Sequence, residues 1–348
     1  MSVFQRLIPA LLLLTLMGCQ TQFFARKAEP KTPVLSTQIS CAALVEHLNL
    51  QTAGLRSWRS GETRVHVRMP GLPMPQSLSG TLACAAPSNF RLVAGNIVAH
   101  ADFGANDERC WAYAKPGEPL VLTWLHEDSY LLSRLPGGLP HLDAGWLMGL
   151  LGVVPMHADD YELQHDPNDA RTLRLVDVDE TADGGHVRHV IAVDTLSGFA
   201  REHSLTDDAG VVLVRARLGD HRRVGTVLIP HEVRITFPET GTELTLNFNR
   251  IEVNCSIQPA VWEPPGGREL EQVDLRTVVE SMERYSSAQR NAATQVSRGV
   301  PQPGGSEFRA LDAGAGSQSD AVPQFDQPMP VEKSRWKRLP IFRWFSRS

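Results

Sequence analysis

Six side chains able to hold a hard or borderline divalent cation crowd into residues 157–169: His157, Asp159, Asp160, His165, Asp166 and Asp169. Their spacing fits no recognised metal loop, and a solvated polar loop accounts for all of them, so no metal site is expected. Asp177 and Asp179 lie two apart and would share one face of a strand, yet nothing in their surroundings marks either as desolvated. The chain holds no GxSxG, HExxH, GxxxxGK[ST] or GxGxxG pattern, so nucleophile, zinc-hydrolase, nucleotide and dinucleotide chemistry lack their usual anchors. No catalytic residue, no cofactor and no enzymatic activity are therefore expected. A net charge of −5, from 34 Lys and Arg against 39 Asp and Glu, gives no basic footprint for nucleic acid.

The five cysteines carry a different chemistry. Arg6 is the only charge before an apolar run from Leu7 to Leu16, which ends in Leu16-Met17-Gly18-Cys19. That run is short of the roughly 20 apolar residues a spanning helix needs, and it has the organisation of an export signal over residues 1–18. Leu-x-Gly-Cys resembles the lipobox of bacterial lipoproteins, which implies acylation of Cys19 and a tethered, non-spanning chain. Gln20 follows where an inner-membrane retention Asp could stand, so the resemblance implies an outer-membrane destination facing the periplasm. Several acyl chains, at about 0.8 kcal/mol per buried CH₂, anchor a protein firmly. Cys41, Cys84, Cys110 and Cys255 remain, an even number that permits up to two disulfides in an oxidising compartment, with the pairing left open.

Residues 19–38 are polar with Pro30 and Pro33, as a flexible tether would be. In the domain expected over 39–265 the prevailing pattern is period-two alternation. Val65, Val67 and Met69 alternate with polar residues, as do Val212 to Leu218, Val233 to Phe237, and Leu244, Leu246 and Phe248. Strands with one wet and one apolar face belong to antiparallel sheets, and roughly ten are expected. A helix is expected over Cys41 to Leu50. A second, over Asp143 to Leu151, carries Trp146, Leu147, Leu150 and Leu151 and is apolar nearly all round, so it must cover something: a lid on the sheet. A short helical extension is expected over 266–290, from Leu270 to Tyr285, and a disordered tail over 291–348. In that tail Arg335, Trp336, Lys337, Arg338, Phe342, Arg343 and Trp344 interleave cations with aromatics, a composition suited to an anionic membrane interface or a docking partner.

Assembled in order, these pieces resemble the Lol-type outer-membrane lipoprotein carrier and receptor family. The residues carrying the likeness are Leu55-Arg-Ser-Trp-Arg59, Ser79-Gly-Thr-Leu82, Asn89-Phe-Arg-Leu92, Cys110-Trp-Ala-Tyr-Ala-Lys-Pro116, Leu244-Thr-Leu-Asn-Phe-Asn-Arg-Ile-Glu-Val-Asn254 and Trp262-Glu-Pro264. The resemblance implies a mainly β fold, an antiparallel half-barrel with an N-terminal helix and a short apolar lid helix. It also implies an apolar groove for acyl chains of lipoproteins or other hydrophobic cargo, the anchored membrane being the other partner. Groove candidates are the inward residues Val65, Val67, Met69, Leu82, Leu92, Trp111, Tyr113, Leu122, Trp124, Leu147, Leu150, Leu246 and Phe248. The alternative is a closed core without ligand, in a structural or interaction lipoprotein of the envelope.

Overall fold

A computed structural model of the chain describes residues 33–70, 74–115, 119–135, 144–180, 186–267 and 269–298. Cys19, its tether to residue 32, and the tail with Arg335, Trp336, Lys337, Arg338, Phe342, Arg343 and Trp344 lie outside the described residues.

The fold is mainly β. Fourteen strands form one open sheet in the order β14-β6-β5-β4-β3-β2-β1-β13-β12-β11-β10-β9-β8-β7. They are β1 (Ser57–Arg68), β2 (Gln76–Ala85), β3 (Asn89–Gly95), β4 (His100–Ala105), β5 (Arg109–Lys115), β6 (Leu120–Leu125), β7 (Glu162–His165), β8 (Thr172–Glu180), β9 (His186–Asp194), β10 (Phe199–Thr206), β11 (Val212–Val224), β12 (Val227–Phe237), β13 (Thr242–Val253) and β14 (Glu271–Asp274). Two meanders, β1–β6 and β7–β13, are joined where β1 pairs with β13, Val65 lying opposite Leu246. Every pairing is antiparallel except that of β14 with β6.

The strict alternation of β1 is what commits it to this arrangement. Trp58, Ser60, Thr63, Val65 and Val67 are buried and the Arg and His residues between them are exposed, with a bulge between Ser60 and Thr63. The apolar side chains of the sheet's inner face fall into two core clusters, a large one and a smaller one on β8 and β9. Four segments cover that face. Helix α1 (Cys41–Gln51) starts where Ser40 Oγ accepts from the Ala43 amide, and it buries Leu44, Val45 and Leu48 against Leu173, Leu175, Ile191 and Val193. Helix α2 (Ala144–Leu150) buries Trp146, Leu147, Met148 and Leu150, where an apolar lid was expected. It ends at Gly152 (φ 72°), with the Val153 amide donating to Met148 O, a closure that needs the left-handed backbone glycine permits. The 3-10 segment His126–Arg134 and helix α3 (Leu275–Arg298) close the third side, where Arg276 meets buried Asp128 at 2.5 Å.

Four expectations need correction. The core continues beyond Pro265: β14 joins the sheet, and Leu275, Val278 and Val279 are buried in the main cluster. Residues 271–274 pair as a strand with β6, so the helix expected from Leu270 begins at Leu275 and runs to Arg298. The four cysteines of the described residues are free thiols, not disulfides. Cys84 on β2 and Cys110 on β5 are separated by β3 and β4, and three strand spacings of about 4.8 Å exceed what a disulfide spans.

The fourth correction concerns strand phase. Trp111 and Tyr113 stand on the outer face, because their partners Cys110 and Ala112 face inward opposite Trp124 and Leu122 of β6. The Trp111 ring lies over Gly104, where a Cβ would come within 2.2 Å of it. Its Nε1 donates to Asp102 Oδ1 at 3.1 Å, and Asp102 also accepts from Arg91 Nε at 3.1 Å and Nη2 at 2.6 Å. Arg91 reaches on to the carbonyl of Val261, fastening the 3-10 turn Pro259–Trp262 to this side. Trp111 is thus wholly buried without touching the inner face.

Candidate functional site

The remaining expected groove residues do face inward. Val65, Val67, Met69, Leu82, Leu122, Trp124, Leu147, Leu150, Leu246 and Phe248 are buried in the main cluster, and Leu92 packs against it half-buried. Most of this surface is filled by α2, by the segment 126–135 and by α3 rather than left as a hollow.

A hollow does exist where the coverings meet. The C-terminal ends of α1 and α2 approach each other without sealing the sheet between them, and the gap is a cleft of about 80 Å³. Leu48, Asn49, Gln51 and Thr52 form one wall, and Gly149, Leu150, Leu151 and Gly152 the other. Ile191, Ala200, His203, Leu218, His221, Leu228 and Pro230, from β9 to β12, complete it. Of the expected groove residues, Leu150 alone lines this cleft.

The amide side chains of the first wall are committed to structure. Asn49 clamps the chain after α2, its Oδ1 accepting from the Met156 amide and its Nδ2 donating to Met156 O, both at 2.9 Å. Gln51 Nε2 donates to Gly198 O at 2.7 Å, and the His47 ring lies 3.0 Å from the same oxygen. The α1 edge of the cleft is therefore fixed, and the histidines on its inner surface give it chemistry.

His203 is 4% exposed, and its Nδ1 lies 3.2 Å from Nε2 of His189 across the β9–β10 pair. Burial first, and the neighbouring His189 second, hold the His203 imidazole well below its ordinary value of 6.5. His221 stacks at 5.0 Å on Phe199 and is also lowered by burial, partly offset by a hydrogen bond to the Ala200 backbone and by Asp220. Both rings are neutral at neutral pH, so they offer hydrogen bonds rather than charge. An apolar cleft with neutral imidazoles is suited to holding a molecule by burial and one or two directed bonds.

Sequence reasoning missed His203 and His221. A signal was present at His203, which shares the inward phase of β10 with Leu205 and so had to be buried.

The His/Asp block is a set of turn supports instead. Asp166 pairs with Arg174 at 2.7 Å and accepts from the Asn168 amide; Asp169 accepts from Thr172 and Arg201, which hold its carboxyl down at about 2. His165 bonds the Thr37 carbonyl, and Asp159 and Asp160 lie in the 3-10 turn that follows His157. Among the described residues no group of three His, Cys, Asp or Glu side chains is placed to hold a metal ion. Asp177 stands opposite His189 in the β8–β9 register. No described helix is long and apolar enough to cross a membrane.

No family model and no curated protein matches this chain. Solved structures with a similar fold include a DUF1329 family protein from Desulfovibrio piger, at 12% identity and a TM-score of 0.43, covering 64% of this chain and 95% of that one. A LolA superfamily protein from Nitrosomonas europaea gives 10% identity and a TM-score of 0.43 over 65% and 98% of the two chains. An outer membrane lipoprotein-sorting protein domain from Vibrio parahaemolyticus gives 10% and 0.42 over 63% and 94%. At these identities and scores the functional reading has to rest on the cleft itself.

Proposed function

We propose that this is a lipid-anchored envelope protein, tethered through Cys19 to the outer membrane, that binds acyl chains of lipoproteins or other hydrophobic cargo on the inner face of its half-barrel. It works by burial and shape, without catalysis. The observation carrying this reading is that the apolar inner face is covered by separate helical segments, not by a second sheet, and that α1 and α2 leave a cleft at their junction.

The cleft of about 80 Å³ is well below the roughly 300–1,000 Å³ of ordinary ligand sites, so cargo has to displace part of the cover. Helix α2 is the part suited to that, since it is seven residues long. Its four large buried side chains contribute on the order of 6–12 kcal/mol, at about 1.5–3 kcal/mol each, and cargo burying the same surface offsets that loss. Exchange of plug for cargo is then close to balanced. Residues Val65, Val67, Leu122, Trp124, Leu246 and Phe248 become the groove once α2 has moved. The basic aromatic tail, from Arg335 to Trp344, supplies a second contact with the membrane or with a partner.

A fluorescent acyl-chain probe titrated into the full-length chain, with Cys19→Ala to prevent acylation, tests this. Saturable binding that Leu150→Glu abolishes, with circular dichroism unchanged, is the expected result. A folded wild-type chain that binds nothing overturns the reading. It would favour a closed-core envelope protein acting through its surface, for which the complete burial of Met148 and near-complete burial of Trp146 already speak.

A further inference from the structure

In the cleft between α1 and α2, His203 stands out as a buried polar ring in apolar company. Its Nδ1 is committed to His189 at 3.2 Å. Its Nε2 has no hydrogen-bond partner among the described residues, although the ring is buried and lines the cleft. That nitrogen is not among the fully buried, unpartnered atoms of the described residues, so it opens on the cleft, where a bound group can supply its hydrogen bond. Leu48, Leu150, Ile191, Leu218 and Leu228 line the cleft with it, while Asn49 spends its amide on Met156 and Gln51 its Nε2 on Gly198.

We propose that the cleft is a head-group subsite for a single-chain carboxylic acid, with His203 Nε2 bonding the carboxyl group and the alkyl chain running along the inner face beneath a displaced α2. This rests on the hydrophobic-cargo reading above and names the class of cargo. With α2 in place the cleft measures about 80 Å³, small beside ordinary ligand sites, so a compact head group suits it better than a branched or sugar-bearing one. The two tautomers of the His189–His203 pair both suit an acid. If His189 donates to His203, Nε2 carries the proton and donates to a carboxylate; if His203 donates to His189, Nε2 accepts from the protonated acid. An ester or an ether can use only the first of these.

Several titratable groups face the pair. His189 contacts His203 from β9 and Tyr161 lies against His189 at 6.5 Å, while His221 shares the cleft from β11 and Asp177 stands opposite His189 on β8. Burial keeps His203 neutral without ligand, and a bound carboxylate provides the counter-charge that lets the pair take up a proton.

The test is a fluorescence titration of the full chain with cis-parinaric acid and with its methyl ester, which have the same alkyl chain. The acid is expected to bind about tenfold more tightly than the ester, the size of one charge-assisted hydrogen bond. His203→Leu is expected to bring the acid down to the ester's affinity, and His203→Gln to keep part of the preference. Nuclear magnetic resonance of the wild-type imidazoles guards against a variant that fails to fold: the acid, and not the ester, should shift the His203 ring signals and raise their titration midpoint. Equal affinities for acid and ester overturn the head-group subsite while leaving the apolar groove standing. Binding of neither by the folded chain overturns the groove and the subsite together.

Discussion

The indole Nε1 of Trp58 donates to the backbone carbonyl of Leu151 at 3.2 Å, linking the inner face of β1 to the end of α2. The ring itself is fully buried, edge-on to Phe248 at 5.2 Å. The sheet thus grips its cover by one directed bond as well as by apolar contact.

Trp58→Phe keeps most of the aromatic packing and removes that bond. The variant is expected to lose about 1–2 kcal/mol of stability in urea unfolding, since the Leu151 carbonyl is left to find another donor. Amide exchange at Val153 and its neighbours should quicken more than exchange in β12 or β13. Uniformly faster exchange across the sheet would show that Trp58 supports the whole core and not α2 in particular.

On the outer face, Asp102 is the hub. Its carboxylate is 3% exposed and takes bonds from Arg91 and Trp111, while Arg91 is 18% exposed. Removing one member of such a pair leaves the other charge buried and unmatched, so Asp102→Ala is expected to cost about 3–5 kcal/mol. Replacing both, as Asp102→Leu with Arg91→Met, should recover much of that loss. A single-variant cost under about 1 kcal/mol, the range of exposed pairs, would mean that solvent reaches Arg91.

The contrast between β1 and β5 shows how far alternation reads. In β1 from Arg64 to Arg68 every second residue is an Arg or His, so the buried parity is unambiguous from Val65 and Val67. In β5 large Trp111 and Tyr113 alternate with small Cys110 and Ala112, and size pointed to the wrong face. The inner face there is filled from across by Phe103 and Trp124, and the outer one is roofed by the Pro259–Trp262 turn, whose approach nothing local in β5 announces. Long-range partners also decide the cleft. Ile191, His203 and Pro230 lie on three different strands, and only the packing of α1 beside α2 turns them into one surface.

The free thiols predict a graded reactivity. Cys84 is fully buried and burial pushes its thiol far up, so it has essentially no thiolate at neutral pH. Cys110 is 3% exposed. Cys41 and Cys255 are both partly exposed, and burial raises the Cys41 thiol. Alkylation of the native chain followed by peptide mass mapping is expected to modify Cys255 first, Cys41 more slowly, and Cys84 and Cys110 only after unfolding. Recovery of a peptide pair joined through Cys84 or Cys110 without reductant would contradict the free-thiol arrangement.

The buried histidines set the direction of the pH response. His203 is held well below 6.5 in the folded state, while the unfolded chain titrates near 6.5. Between those values the unfolded state binds the extra proton, so the stability from burying a neutral ring is present above about 6.5 and drains away as pH falls below it. His221, lowered by the same cause, adds with the same sign. Carboxylates such as Asp169, held at about 2, lose their contribution only at more acid pH, so the interval from about 6.5 to 5 isolates the imidazoles. Urea midpoints are therefore expected to fall between pH 7.5 and pH 5.5 in the wild type, to fall less in His203→Gln, and to be nearly level in His203→Gln with His221→Gln. A midpoint that rises on acidification would mean that His203 is charged in the fold, and a carboxylate beside it would then be the group to find.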